Sequence, residues 1–336
     1  MTRLGTAARL LLCALVFAVL VGPHLASLRF GRGRLAAHCP TLFHRVVLAL
    51  FGVRVTQGGT PPASGEPALV LSNHISWLDI LVLGSLRPLS FVAKSEIAGW
   101  PVIGTLARLQ RTVFIDRTRR SHTAQVNATV ADRLAAGDLI VLFAEGTTGD
   151  GNRLLPFRSS LVGAARTAID PEAGGLDRIR LQPLAIAYPR RNGLPLVRSE
   201  RPEIAWYGDM ELAPHLALFV AGGPIDVHVV WGASITFDSG TDRKRATALA
   251  EASVRRALQG VLTGRSYDGQ TRSAIPHVEF AVPWTTMDLP IPDSLRCDAA
   301  LGRQPASKPL SSRDRLSFVG KYDHIAQWPY IVRFRG

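Results

Sequence analysis

Between residues 68 and 262 short apolar runs alternate with stretches of helical period, and no other feature constrains the fold of this chain as tightly. Apolar runs of that length become strands, the periodic stretches become helices that cover them, and the product is an α/β domain. The strand candidates are 68–71, 112–115, 139–143, 183–187 and 227–231, each rich in Val, Ile, Leu or Phe and each ending near polar or glycine residues. Pro183 opens the fourth, and a residue without an N–H argues for an edge strand or a first strand position. Ser121 can cap a helix whose apolar positions Val126, Val130 and Leu134 recur before a stop at Gly137. Ala250, Val254, Ala257, Leu258 and Val261 form another stripe, and both stripes read as core. No heptad array or repeat of roughly 20 to 50 residues runs through the chain, which excludes coiled coils, solenoids and propellers.

The N-terminal residues differ in kind. Residues 10–22 are nearly unbroken apolar sequence, and Pro23 and His24 separate them from a softer stretch to Leu28. The strongest part is thus shorter than the roughly 20 residues of a spanning helix. Arg3 and Arg9 precede it, Arg29, Arg32 and Arg34 follow, and a second apolar segment at 42–55 is interrupted by His44, Arg45 and Gly52. Two helices with basic turns predict a membrane-associated hairpin over residues 1–58. Positive charge at both ends fits a re-entrant or interfacial pair as well as a single crossing. A basic start before a short apolar run also fits a cleaved signal peptide, although no A-x-A site follows.

Of 336 residues, 39 are Lys or Arg and 26 are Asp or Glu, for a net charge of +13. That excess attracts nucleic acid, acidic membrane, phosphorylated substrates or an acidic carrier protein. No helix-turn-helix, RNP or zinc module is recognisable, so nucleic acid is not an expected partner. Hydrophobic residues make up 47% of the chain, enough to exclude global disorder. Cys13, Cys39 and Cys297 are too few and too scattered for a disulfide framework, and none has a metal-ligand spacing, so no metal is expected.

Four segments carry polar chemistry at strand ends. In Asn73-His74-Ile75-Ser76-Trp77-Leu78-Asp79, a histidine follows a strand where a helix begins, and the aspartate five residues on can fold back on the imidazole, fix one tautomer and raise its basicity. Without a G-x-S-x-G elbow in the chain, the base must activate a hydroxyl brought in by a substrate. In Phe143-Ala144-Glu145-Gly146-Thr147-Thr148, glycine lets backbone amides approach an oxygen-rich ligand while Glu145 can accept hydrogen bonds from its hydroxyls. Arg117 closes the strand at 112–115, and its planar fork suits a phosphate or carboxylate. The fourth, from Gln182 to Tyr188, reads as structural.

Taken in order, Asn73-His74 to Asp79, Phe91-Val92-Ala93-Lys94 to Pro101-Val102-Ile103-Gly104, Val113 to Arg117, Phe143 to Thr147 and Pro183 to Ala187 resemble the glycerolipid acyltransferases of the lysophosphatidate acyltransferase type. The resemblance covers about residues 69–230. It implies a mixed sheet covered by helices, His74 as general base, Asp79 as its orienting partner, and Arg117, Glu145, Gly146 and Thr147 as the residues that hold glycerol phosphate. Lys94, Arg117 and Arg158 would draw in that phosphate. Two positions depart from the family: Ala144 stands where proline is usual and Thr148 where arginine is frequent.

The expected reaction is direct transfer of a fatty acyl group from acyl-coenzyme A or acyl carrier protein to the free hydroxyl of lysophosphatidate, with no cofactor. It would take place on membrane lipid at the cytoplasmic face of the inner membrane. Ala144 and Thr148 leave room for another acceptor, such as lyso-ornithine lipid. The alternative from another class is a lipid-binding or scaffold protein that kept the fold and lost turnover, against which the intact His74 and Asp79 stand. The apolar and aromatic segment at 199–223 reads as core packing, with a substrate-facing or membrane-facing insertion as its alternative. Residues 265–336, broken by seven prolines, read as an irregular tail without chemistry.

Overall fold

The computed structural model describes residues 3–30, 33–115, 120–170, 176–264 and 273–274. Two helices come first, α1 (Arg3–Arg29) and α2 (Gly33–Leu50). They pack together, with Phe17 of α1 edge-on to Phe43 of α2 at 6.0 Å. Helix α1 continues through Pro23, so its apolar length exceeds that of the run at 10–22. Residues Ala7–Arg29 form the one helix among the described residues that is long and apolar enough to cross a membrane.

The second apolar segment is not one element. Helix α2 stops at Leu50, Gly52 takes a φ of +71° that favours glycine, and strand β1 (Val53–Gly59) begins at once. The sheet therefore starts inside the region read as N-terminal helices, because Val53 and Val55 carry strand periodicity that a helical reading absorbs.

Along the chain follow β2 (Ala68–Ser72), α3 (Leu78–Leu86), β3 (Ser90–Lys94), α4 (Ile103–Leu109), β4 (Val113–Ile115), α5 (Arg120–Ala135), β5 (Leu139–Phe143) and α6 (Gly163–Ala168). Strand β6 (Arg178–Arg191), β7 (Leu194–Pro195), α7 (Leu212–Ala221), β8 (Ile225–Trp231), β9 (Ile235–Asp238), α8 (Arg243–Leu262) and β10 (Ser273–Ala274) complete the described residues. Four of the five strand candidates lie wholly in strands, and the fifth, 112–115, begins one residue ahead of β4. Helix α5 starts at Arg120, one residue ahead of the cap expected at Ser121. Helix α8 is capped by Asp242, whose carboxylate accepts from the Arg245 amide.

The strands form one mixed sheet in the order β10-β1-β8-β6-β2-β5-β3-β4, with β7 and β9 on β6. Strands β6, β2, β5, β3 and β4 run parallel, while β8 and β1 run the opposite way. Every residue of β2 and β5 is buried, because helices cover both faces. Ala68 and Val70 point into a core shared with α2, α3 and α7, and Leu69 and Leu71 into a second core shared with α5, α6 and α8.

Pro183 corrects the reading of β6 as an edge strand: β6 is central, paired with β2 on one side and with β8 and β9 on the other. The proline sits where the partner changes from β9 to β8. Its carbonyl accepts from the Gly232 amide at 2.9 Å, and the Gly232 carbonyl accepts from the side-chain amide of Gln182 at 2.6 Å in place of the N–H that proline lacks. The expected tail at 265–336 lies outside the described residues except for β10, which pairs antiparallel with β1.

Candidate active site

Strands β2 and β5 are parallel neighbours, so the segments after them emerge side by side at the carboxyl edge of the sheet. The fold thereby brings His74 and Glu145 together although 71 residues separate them. Asn73 fixes the exit of β2: its side-chain amide donates to the Ile186 carbonyl at 2.9 Å and its oxygen accepts from the Ile186 amide at 2.8 Å. Ala144 fixes the exit of β5 through its own amide, which donates to the Ser72 carbonyl at 3.0 Å. Proline, usual at that position in the resembling family, could not make this bond.

Asp79 enters the first turn of α3 fully buried. Its Oδ2 lies 2.8 Å from Nδ1 of His74 and accepts from the amides of Ile75 at 2.7 Å and Ser76 at 3.0 Å. Its Oδ1 accepts from the hydroxyl of Tyr188, on β6. Burial, reinforced by the Asp79 charge and hydrogen bond, pushes the Tyr188 phenol well above its ordinary range, so it remains a donor. The carboxylate thus takes four hydrogen bonds from partners that cannot move independently of the fold. A single orientation remains for it, and the imidazole inherits that orientation.

The ring of His74 lies flat on Phe143 at 3.8 Å between centroids and 11° between planes, and Phe143 in turn stacks on Phe91. With Nδ1 held by Asp79, Nε2 is left without a partner among the described residues, and the side chain is 18% exposed. One nitrogen of a fixed, partly exposed imidazole faces outward, the posture of a general base that serves a hydroxyl from outside the chain.

Glu145 is buried, and backbone amides occupy both of its oxygens: His74 donates to Oε2 and Leu155 to Oε1, each at 3.1 Å. Burial pushes this carboxyl up to about 8, with the two amide bonds pulling the other way. Its contacts are therefore with the loops themselves, where ligand hydroxyls were expected, and it joins the turn that carries His74 to the turn after β5. Gly146 takes a φ of +76° in that turn, followed by the exposed Thr147. Lys94, ending β3, and Arg158, whose amide donates to the Ala144 carbonyl, are exposed at the same edge. Arg117 lies outside the described residues. Sequence reasoning gave no role to Tyr188, Asn73 or Phe143; the one available signal for Tyr188 was a polar tip at the end of an apolar strand, which must find a partner once buried.

A family model described as Acyltransferase matches residues 53–187, which span His74, Asp79 and the Glu-Gly-Thr turn. A lyso-ornithine lipid O-acyltransferase from Brucella abortus is 48% identical over 226 residues, covering 67% of this chain and 84% of that protein. The chain belongs to the glycerolipid acyltransferases. A second relative in this family, the lyso-ornithine lipid O-acyltransferase of Rhizobium meliloti, is 42% identical over 68% of this chain and 77% of its own length. A 1-acyl-sn-glycerol-3-phosphate acyltransferase from Neisseria meningitidis is 35% identical over 49% of this chain and 60% of its own. The mixed α/β sheet is the one the resemblance implied, and acyl transfer is the activity of this acyltransferase.

Proposed function

We propose that the protein moves a fatty acyl group from an acyl thioester to the free hydroxyl of lyso-ornithine lipid. The observation that carries the choice of acceptor is the 48% identity to a protein named for that reaction, over 84% of its length. The main sequence expectation, lysophosphatidate, stands as the second reading, favoured by the Neisseria relative.

Nε2 of His74 takes the proton from the acceptor hydroxyl as its oxygen attacks the thioester carbonyl. Asp79 stabilises the imidazolium that forms. When the tetrahedral intermediate collapses, the C–S bond breaks and the same nitrogen returns the proton to the departing thiolate. General-base catalysis of this kind contributes on the order of 10² to 10⁴ in rate, and fixed geometry supplies part of the remainder. Lys94, Arg117 and Arg158 are proposed to attract the anionic groups of the substrates. Both donors considered, acyl-coenzyme A and acyl carrier protein, are anionic. No cofactor enters this scheme. Helix α1 is proposed to hold the enzyme on the cytoplasmic face of the inner membrane, where lysolipid and thioester meet.

The test is acyl transfer from each donor to lyso-ornithine lipid, lysophosphatidate and glycerol 3-phosphate, with His74→Ala as control. Product from lyso-ornithine lipid that the variant fails to form is the expected result. Product from lysophosphatidate alone would move the acceptor, and undiminished activity in the variant would overturn the mechanism.

A further inference from the structure

The carboxyl edge carries apolar side chains that the reaction does not use. Trp100 and Trp206 meet edge-on at 6.1 Å although they come from different loops. Trp100 is 37% exposed, Val102 66%, Met210 37% and Leu218 71%. Val102 is also strained: a β-branched residue at φ +64°, a region such residues rarely adopt, with its apolar side chain directed to the outside.

We propose that Trp100, Val102, Trp206, Met210 and Leu218 form a second membrane-contact surface, seated in the headgroup region of a lipid bilayer beside the catalytic base. Tryptophans concentrate at this depth because an apolar ring and a polar N–H suit an interface; the Trp206 N–H donates to the Met210 carbonyl at 2.8 Å, so that ring offers its apolar face. Two elements beside the surface also touch α1, whose Leu11, Leu15 and Val19 are exposed apolar residues of the candidate spanning helix. Helix α1 packs on α7, which carries Leu218. Nε2 of His24 in α1 donates to the Leu109 carbonyl, at the end of the helix that Val102 precedes. The surface is also tied to the site, because the Trp206 amide donates to the Ile75 carbonyl at 2.9 Å, one residue from His74. A bilayer seated there would present lysolipid hydroxyls at the level of the base, sparing the acceptor a full exit into water.

Two measurements on the full chain in phosphatidylcholine–phosphatidylglycerol vesicles test this. With Trp284 and Trp328 replaced by Phe, brominated phosphatidylcholine is expected to quench tryptophan emission, and Trp100→Phe with Trp206→Phe to abolish that quenching. Emission indifferent to bromine, or a patch occupied by a second copy of the chain in the same vesicles, would overturn the proposal. The activity arm rests on the lysolipid acyltransferase reading. Trp100→Ser with Val102→Ser should lower transfer to vesicle-borne acceptor about tenfold or more, since burying one such side chain is worth that much, while transfer to a short-chain monomeric acceptor stays unchanged. Equal loss on both acceptors, or none on either, would count against the surface. A parent enzyme inactive on every acceptor would defeat the proposed function alone, and the quenching would still decide the surface.

Discussion

At the scale of single residues, the site is a set of side chains whose freedom has been removed by neighbours. His74→Ala removes the proposed base together with its bond to the buried Asp79 and its stack on Phe143, so kcat should fall by about 10² to 10⁴ while the circular dichroism spectrum of the folded chain is retained. Tyr188→Phe removes one of four bonds to Asp79; a net hydrogen bond is worth roughly 0.5–1.5 kcal/mol, so kcat should drop about two- to tenfold with KM constant. A rise in KM at constant kcat would show that Tyr188 shapes binding. Glu145 makes a pH prediction. Its folded pKa of about 8 exceeds the ordinary 4.5, so the folded chain keeps a proton that the unfolded chain releases between those values. Stability should therefore decline as pH rises through that window, by at most about 1.36 kcal/mol per pH unit, and Glu145→Gln should flatten the slope in a thermal melt. His74 and Asp79 were legible because six residues of sequence contain the whole pair. The Tyr188 contact spans 109 residues, and nothing local records it.

At the scale of elements, helix α2 is wedged against α3 at Gly84, where a Cβ would stand 1.9 Å from Nδ1 of the buried His44. Gly84→Ala should thus force the helices apart and cost about 1–3 kcal/mol in a denaturant melt, as overpacked cores do. An unchanged midpoint would mean that His44 swings aside freely. The apolar runs of β2 and β5 were readable as strands because both faces are buried and no polar alternation interrupts them. The place of β6 was not: whether Pro183 marks an edge depends on what lies beside its missing N–H, here the break between β9 and β8. Strand β1 was hidden for a related reason, since a single glycine at positive φ separates it from a helix of similar composition.

At the scale of the molecule, the sheet order places β1 and β10 on the far side of β8 and β6 from β2, the strand that leads to His74. Removing residues 266–336 strips β10 from β1 and takes none of the described site residues, so specific activity should be nearly unchanged; a large loss would assign those residues a part in the reaction. The α/β class was readable from alternation alone, whereas the chain order of the sheet was not, because crossovers are set by packing that no window of sequence contains. The stacked, tethered imidazole has a last consequence, in kinetics. Because Nε2 alone is open, in the proposed transfer the atom that accepts the hydroxyl proton would also be the atom that delivers it to the thiolate, and both substrates would have to occupy one side of the ring in the same turnover. Initial-rate lines for donor and acceptor should therefore intersect, as in a sequential mechanism, and no acyl group should accumulate on the protein when the donor is supplied alone.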